Sequence, residues 1–309
     1  MTKRKVTDVA ASVRARLLAS AKQSGKPFQE VVQYFAMERF LYRLSKSSHV
    51  ERFVLKGGLM LSAWKAPQSR PTKDMDFLAR LSNEPDSIVA VIREICDVPD
   101  ETDGLRFDSS SLEAKVIKED ADYEGVRVTF LAYLQNARVH MQIDLGFGDV
   151  VIPEPVKISY PTILGHDAPE IHGYPRETTI AEKFEALVKL GLLNSRIRDF
   201  FDLWMLSQQF EFDGQTLARA IRETFANRGT EIDIDPVALK PEFASDATKQ
   251  SQWNGFCRKS RIDFAPARLQ EVCDAISQFL LPVAKALRNN QRFDQLWTPA
   301  GPWRERPEN

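Results

Sequence analysis

The sequence predicts an α+β fold with a helical C-terminal lobe. Three observations carry this. Apolar residues recur at helical spacing over the first 45 positions. Two alternating segments, 126–134 and 139–145, follow in mid-chain. After Pro175 the pattern becomes helical almost throughout. With 309 residues, 43% of them hydrophobic, the chain can bury a sizeable core as one large domain or two lobes. The break is expected near Tyr174, giving a core with N-terminal helices over 1–174 and a helical lobe over 175–309.

Residues Val6 to Ser24 read as an amphipathic helix, with Val13, Leu17 and Leu18 to one side and Arg14 and Arg16 elsewhere. Gly25 suits its stop, and Pro27 suits the first turn of a second helix running to about Ser45. Phe53-Val-Leu is a short strand entering Gly57-Gly58, and Leu59 to Trp64 is helical. Pro67 to Arg70 is loop, Asp74-Met-Asp-Phe-Leu is a second strand, and Ile88 to Cys96 is a helix. The two alternating segments are joined at Gln135-Asn136-Ala137, a hairpin-length connection, so the sheet is at least partly antiparallel.

Beyond Pro175, Thr179-Ile-Ala-Glu182 has the form of a capping box, with a helix following to Leu190. Further helices are expected over Ser195–Gln209, Gln215–Asn227, roughly Ala244–Ser260 and Pro266–Leu287, the last kinked or ended by Pro282. From Asn289 the chain reads as an extended tail.

The formal net charge is −1, so the chain as a whole does not advertise a nucleic-acid binder, which needs clustered Lys and Arg. Local clusters exist at Lys3-Arg4-Lys5, Arg14 and Arg16, and at Arg288, Arg292, Arg304 and Arg306; each also fits a solvated terminus. Cys96, Cys257 and Cys273 form neither a metal spacing nor a disulfide framework, which fits a reducing cytoplasm. No signal peptide and no membrane span is expected, because the start lacks an apolar segment and the apolar runs are short.

Asp74 and Asp76 lie two apart on the expected strand, so both carboxylates share one face. Such a pair repels unless a cation lies between, and its hard oxygens suit Mg²⁺ or Mn²⁺, as in two-metal phosphoryl transfer. It also fits a water-exposed strand end. Asp144 shares a face with His140 and Gln142, opposite Val139, Met141 and Ile143, and is either solvent-facing or a third ligand or base. The glycines of Gly146-Phe-Gly148-Asp149 would let backbone approach something closely. Gly57-Gly58 is either an ordinary turn or a place where backbone N–H groups meet phosphate. Lys56, Arg70 and Lys73 flank it as possible phosphate counter-charges, and Thr72 offers a hydroxyl to a phosphate or a turn.

In the second half Lys183, Arg196, Arg198, Asp199 and Asp202 stand out. Asp199 and Asp202 share a helix face, and Arg198 can reach Asp202 at i,i+4. This is either a surface salt-bridge helix or, given Phe200, Phe201, Leu203, Trp204 and Leu206, a helix whose charges line a cleft.

In order along the chain, Lys56-Gly57-Gly58, Arg70-x-Thr72-x-Asp74-x-Asp76, Gln142-x-Asp144, Glu182-Lys183 and Arg198-Asp199-x-x-Asp202-Leu203 resemble the AbiEii/AbiGii nucleotidyltransferase family. That family is the toxin half of bacterial abortive-infection and toxin–antitoxin pairs. The Ala10–Arg16 and Phe40–Ser45 segments resemble its N-terminal helices, and the likeness fades after Leu206. The resemblance implies a polymerase-β-like nucleotidyltransferase core with a mixed sheet plus a helical lobe. By analogy Asp74 and Asp76 bind Mg²⁺ or Mn²⁺, with Asp144 as the third core carboxylate. Lys56, Gly57, Gly58, Thr72, Lys73 and Arg198 serve nucleotide binding, Lys183 meets triphosphate oxygens, and Asp199 or Asp202 orients or deprotonates the acceptor. The implied substrate is an NTP and the implied acceptor is RNA, notably the 3′ end of tRNA. A cognate antitoxin is the implied protein partner. The chain departs from many nucleotidyltransferases in having Leu59 where a phosphate-binding Ser or Thr would follow the glycines, and Ser62 stands a turn too far to replace it. Transfer to a protein or small-molecule hydroxyl, or an inactive binding module of the same fold, are the alternatives.

Overall fold

The computed structural model describes residues 8–66, 70–120 and 123–306, with backbone alone at 118–120 and 123. The expected Lys3-Arg4-Lys5 cluster, the Val6 helix start and residues 67–69 of the expected loop lie outside the described residues. The chain forms two compact units. One takes in the described parts of Met1–Lys65, Thr72–Gly148 and Val156–Gly173; the other takes in those of Ala66–Pro71, Asp149–Pro155 and Tyr174–Asn309.

The first unit begins with α1 (Val9–Ser24), whose first turn is capped by the Asp8 carboxylate accepting from Ala11 N at 2.9 Å. Gly25, at φ 68°, ends it, as a residue without Cβ can do at no steric cost. Pro27 then precedes α2 (Phe28–Lys46). This helix buries Val32, Phe35, Phe40 and Leu41 to 1% exposure or less, each contributing roughly 1.5–3 kcal/mol of apolar transfer. β1 (Phe53–Lys56), α3 (Leu59–Ala63), β2 (Met75–Ala79) and α4 (Pro85–Cys96) follow. A long hairpin, β3 (Leu105–Asp120) and β4 (Tyr123–Leu134), leads to β5 (Ala137–Gly146), then to β6 (Val156–Ser159) and β7 (Glu170–Gly173).

These strands make one seven-stranded mixed sheet in the order β3-β4-β5-β2-β1-β7-β6. β2 runs parallel to β5 and β1 parallel to β7, while the remaining pairs are antiparallel. One apolar core joins residues of α1, α2 and α4 to Val128, Phe130, Met141 and Ile143 of the sheet. The expected mixed α+β core is therefore present. β3 has no clear signature in sequence, since Asp108-Ser-Ser-Ser-Leu-Glu113 is polar and carries a register shift against β4.

The second unit contains α5 (Arg176–Leu190), α6 (Ile197–Gln209), β8 (Phe212–Asp213), α7 (Gly214–Asn227), α8 (Pro241–Ala244), α9 (Ala247–Ser260), α10 (Leu269–Arg288), β9 (Gln295–Trp297) and β10 (Trp303–Glu305). Four sequence expectations need correction here. The capping box does not form, because α5 starts three residues before Thr179; the Thr179 hydroxyl faces Pro175 O, and Glu182 accepts from the Tyr174 hydroxyl at 3.0 Å. The helix expected over roughly Ala244–Ser260 starts three residues later, at Ala247, because Asp246 caps it by accepting from Thr248 N and Lys249 N. Pro282 does not end α10, which continues to Arg288. Phe279, Leu280, Val283 and Ala284 around it are fully buried, and that packing offsets the lost hydrogen bond. Finally, the extended tail expected after Asn289 is paired into strands. β10, β9 and β8 form a three-stranded sheet, and Trp297, 2% exposed, donates its indole N–H to Ser207 O at 2.7 Å. Among the described residues no helix is long and apolar enough to cross a membrane.

Candidate active site

Three registers build a row of charges across the sheet of the first unit. Lys56 on β1 pairs with Asp76 on β2, Asp76 pairs with Asp144 on β5, and Asp144 pairs with Arg127 on β4. Directly opposed residues on adjacent strands point to the same face, so the order along the row is cation, acid, acid, cation. Asp74 stands just before β2, two residues from Asp76 and on the same side. One oxygen each of Asp74, Asp76 and Asp144 lie within 4.8 Å of one another.

The surroundings hold each carboxylate in place. The Thr72 hydroxyl donates to Asp74 Oδ1 at 2.5 Å, and Thr72 N donates to the Tyr34 hydroxyl of α2 at 2.8 Å. Gln33, also on α2, donates to Lys73 O and to His140 O, tying the approach to β2 onto β5. Asp144 is buried, not solvent-facing. Its oxygens accept Nε and one terminal nitrogen of Arg127, both at 2.8 Å, and the Gln142 amide adds a weaker contact at 3.1 Å. The Asp144 bond raises the Arg127 pKa above its ordinary value; Coulomb attraction to Asp144, Asp74 and Asp76 adds to it and burial opposes it.

Gly57 is required twice over. Its φ is +70°, and a Cβ there would fall 1.9 Å from Asp76 Oδ2. Gly58 has an ordinary φ of −65° and opens α3, which is only five residues long. Lys56 is 8% exposed, while Lys73 is exposed. Ser62 is engaged elsewhere, hydrogen-bonded to Tyr160.

The second unit assembles another cluster. Lys183 of α5 donates to Asp199 at 2.5 Å and lies 3.0 Å from Asp202, both on α6. Arg70 grips Asp202 with two bonds of 2.8 and 2.9 Å, and Arg196 Nε lies 2.8 Å from Asp199. Arg198, expected to reach Asp202, is exposed instead, because α6 turns its Asp199 and Asp202 face inward and Arg198 outward. Burial pushes the Asp202 carboxyl up, but Arg70 and Lys183 outweigh it and hold the pKa down at about 2. Burial likewise pulls Lys183 down, and Asp199 and Asp202 more than reverse it. Asp199 is also lowered, by Lys183 and Arg196 against burial. Glu182 belongs to a neighbouring network in which Arg228 binds Asp149 at 2.8 Å and Glu185 at 3.0 Å and lies 3.5 Å from Glu182.

Sequence reasoning missed Arg127, and saw Arg70 only as a phosphate counter-charge. The signal for Arg127 was present: Val126-Arg127-Val128 alternates, and the hairpin turn sets its partner. Asp149 had been read only for its glycine-rich context, and it anchors Arg228.

A mixed α+β sheet that gathers three carboxylates beside a glycine turn is consistent with the nucleotidyltransferase class of enzyme. More narrowly, the chain belongs to the AbiEii nucleotidyltransferase toxin family: the family profile "Nucleotidyl transferase AbiEii toxin, Type IV TA system" matches residues 39–280. Among solved structures, JHP933 from Helicobacter pylori is similar, with 15% identity and a TM-score of 0.50 over 85% of this chain and 94% of that one. A crystal structure of a candidate nucleotidyltransferase from H. pylori gives 14% identity and a TM-score of 0.48, covering 86% of this chain and 99% of that one. At this identity the likeness to JHP933 is one of fold. No curated protein sequence matches the chain at a significant level.

Proposed function

We propose that the protein is a divalent-metal-dependent nucleotidyltransferase that moves nucleotides from an NTP to RNA, with the 3′ acceptor end of tRNA as the acceptor, and so blocks translation. The observation that carries the metal-dependent reading is the Asp74, Asp76 and Asp144 cluster, with one oxygen from each within 4.8 Å. These residues fit Mg²⁺ or Mn²⁺. Their donors are hard oxygens, and Gly57, lacking a Cβ, lets the Asp76 carboxylate lie close against the glycine turn. Asp74 and Asp76 would hold the cation, with Asp144 as third ligand. When bound, the cation supplies charge stabilisation at the phosphoryl centre.

This chain's own residues do the rest by position and charge. Thr72 fixes Asp74, so its hydroxyl is committed to a carboxylate and not to a phosphate. With Leu59 in place of a hydroxyl residue, nucleotide binding in this reading falls to the Gly57-Gly58 backbone, Lys56, Lys73 and Arg198. Lys183 is proposed to offset charge on the departing pyrophosphate. Asp199 and Asp202 are held in their charged forms by Lys183, Arg70 and Arg196, which makes them poor proton acceptors at neutral pH. Their proposed role is therefore to orient Lys183 and the acceptor. For the RNA surface, Arg14 is exposed over the Phe28 ring, whereas Arg16 already donates to Leu164 O. The family implies an antitoxin as partner, and the unpaired Cys96, Cys257 and Cys273 fit the cytoplasm.

The test incubates purified protein and Mg²⁺ with each labelled NTP and total tRNA. Label on RNA supports the reading, and its absence from every RNA sinks it. Label on protein or a small metabolite instead selects the alternative acceptor. Asp74→Asn should reduce transfer on the order of a thousandfold, since the metal contributes several kcal/mol.

A further inference from the structure

Arg127 has no part in the reaction as described, yet it donates to both oxygens of Asp144 at 2.8 Å. The row Lys56–Asp76–Asp144–Arg127 carries two cations and two anions, so Asp74 alone leaves it negative by one charge. Without Arg127 the imbalance doubles. A divalent cation is drawn to such a group by Coulomb attraction, which scales with that net charge. Lys56 is buried at the row's other end. The Arg127 side chain is 42% exposed, while its neighbours Val126 and Val128 are buried on the opposite face and anchor β4. Arg127 can thus be changed without disturbing the core.

We propose that Arg127 is a positioning residue that sets the cluster's affinity for metal: it fixes Asp144 and keeps the nucleotide-free site weakly attractive to divalent cations. An NTP brings compensating negative charge, so metal and nucleotide then bind together. This rests on the metal reading above.

The experiment titrates Mn²⁺ into full-length, nucleotide-free protein and follows free Mn²⁺ by electron paramagnetic resonance. Arg127→Gln should bind Mn²⁺ at least about tenfold more tightly than wild type, about 1.4 kcal/mol. Arg127→Met carries the same expectation should the glutamine variant fail to fold. Arg127→Lys, which keeps the charge, should stay close to wild type. An affinity of the neutral variants equal to or below wild type overturns the proposal and leaves the metal reading standing, provided Asp74→Asn abolishes binding. If wild type, Arg127→Gln and Asp74→Asn all fail to bind Mn²⁺ with or without NTP, the metal reading itself falls.

Discussion

The two carboxylate clusters differ in how their charge is met. In the first unit Asp74, Asp76 and Asp144 crowd together, and Arg127 binds Asp144 through two bonds of 2.8 Å. In the second unit Asp199 and Asp202 are met by Lys183, Arg70 and Arg196. The second cluster is closed: its acids and bases satisfy each other under burial that would be costly without pairing. The first sets three carboxylates against the Lys56 and Arg127 of its row. That contrast separates carboxylates suited to receiving a cation from carboxylates already held charged by their own cations.

Substitution can break this comparison. The largest effect is expected at Gly57. Gly57→Ala places a methyl on Asp76 Oδ2 at a backbone angle unfavourable to side chains, so Asp76 must move. Transfer should fall on the order of a thousandfold, as for Asp74→Asn. Asp74→Asn itself should leave the melting temperature unchanged or raised, because a like-charge contact is relieved. Activity and calorimetric unfolding measured on the same samples check both.

Asp202→Ala should behave in the opposite way. It removes the carboxylate that accepts two bonds from buried Arg70 and takes one partner from Lys183, at a cost of about 3–5 kcal/mol of stability by denaturant unfolding. If Asp74→Asn and Asp202→Ala destabilise equally, the distinction between an open and a closed cluster is wrong.

Much of the first unit was legible because its signals are local. Gly25, Pro27 and the alternation of β4 and β5 act within a few residues, and each appears where the pattern puts it. The Asp74, Asp76 and Asp144 set was legible as residue types. That Asp144 is buried was not, because its burial depends on Arg127, and that pairing depends on hairpin register. The turn occupies Gln135 and Asn136 alone, so Leu134 faces Ala137 and Arg127 faces Asp144. Counting Ala137 into the turn slips the register by one and sends Arg127 to the wrong face. The C-terminal strands were illegible for a related reason. β9 and β10 are three residues each and acquire their order from the Trp297 contact with Ser207, ninety residues earlier. Thr179–Glu182 shows the converse error, a local motif overridden because the helix begins earlier, at Arg176.

A smaller effect sharpens the comparison from another buried acid in the first unit. Glu38 on α2 is 1% exposed. Burial is the main cause that pushes its carboxyl up to about 7, against the opposing hydrogen bond from Ile163 N and the nearby Arg39. Here the folded state binds the proton more tightly than the unfolded chain. Its contribution is fully present below pH 4.5 and is lost as pH rises towards about 7, by up to about 3 kcal/mol. Asp202 has the opposite sign: its pKa is held down, so its contribution is present above 3.8 and is lost as pH falls through about 2. Glu38→Gln keeps an acceptor for Ile163 N and removes the titration. Its stability should match wild type near pH 5 and exceed it near pH 8 by roughly 1–3 kcal/mol, measured by urea unfolding at both values. Parallel pH profiles for the two proteins would show that Glu38 is already compensated by Arg39, as Asp202 is by Arg70, and that the closed design extends into the first unit.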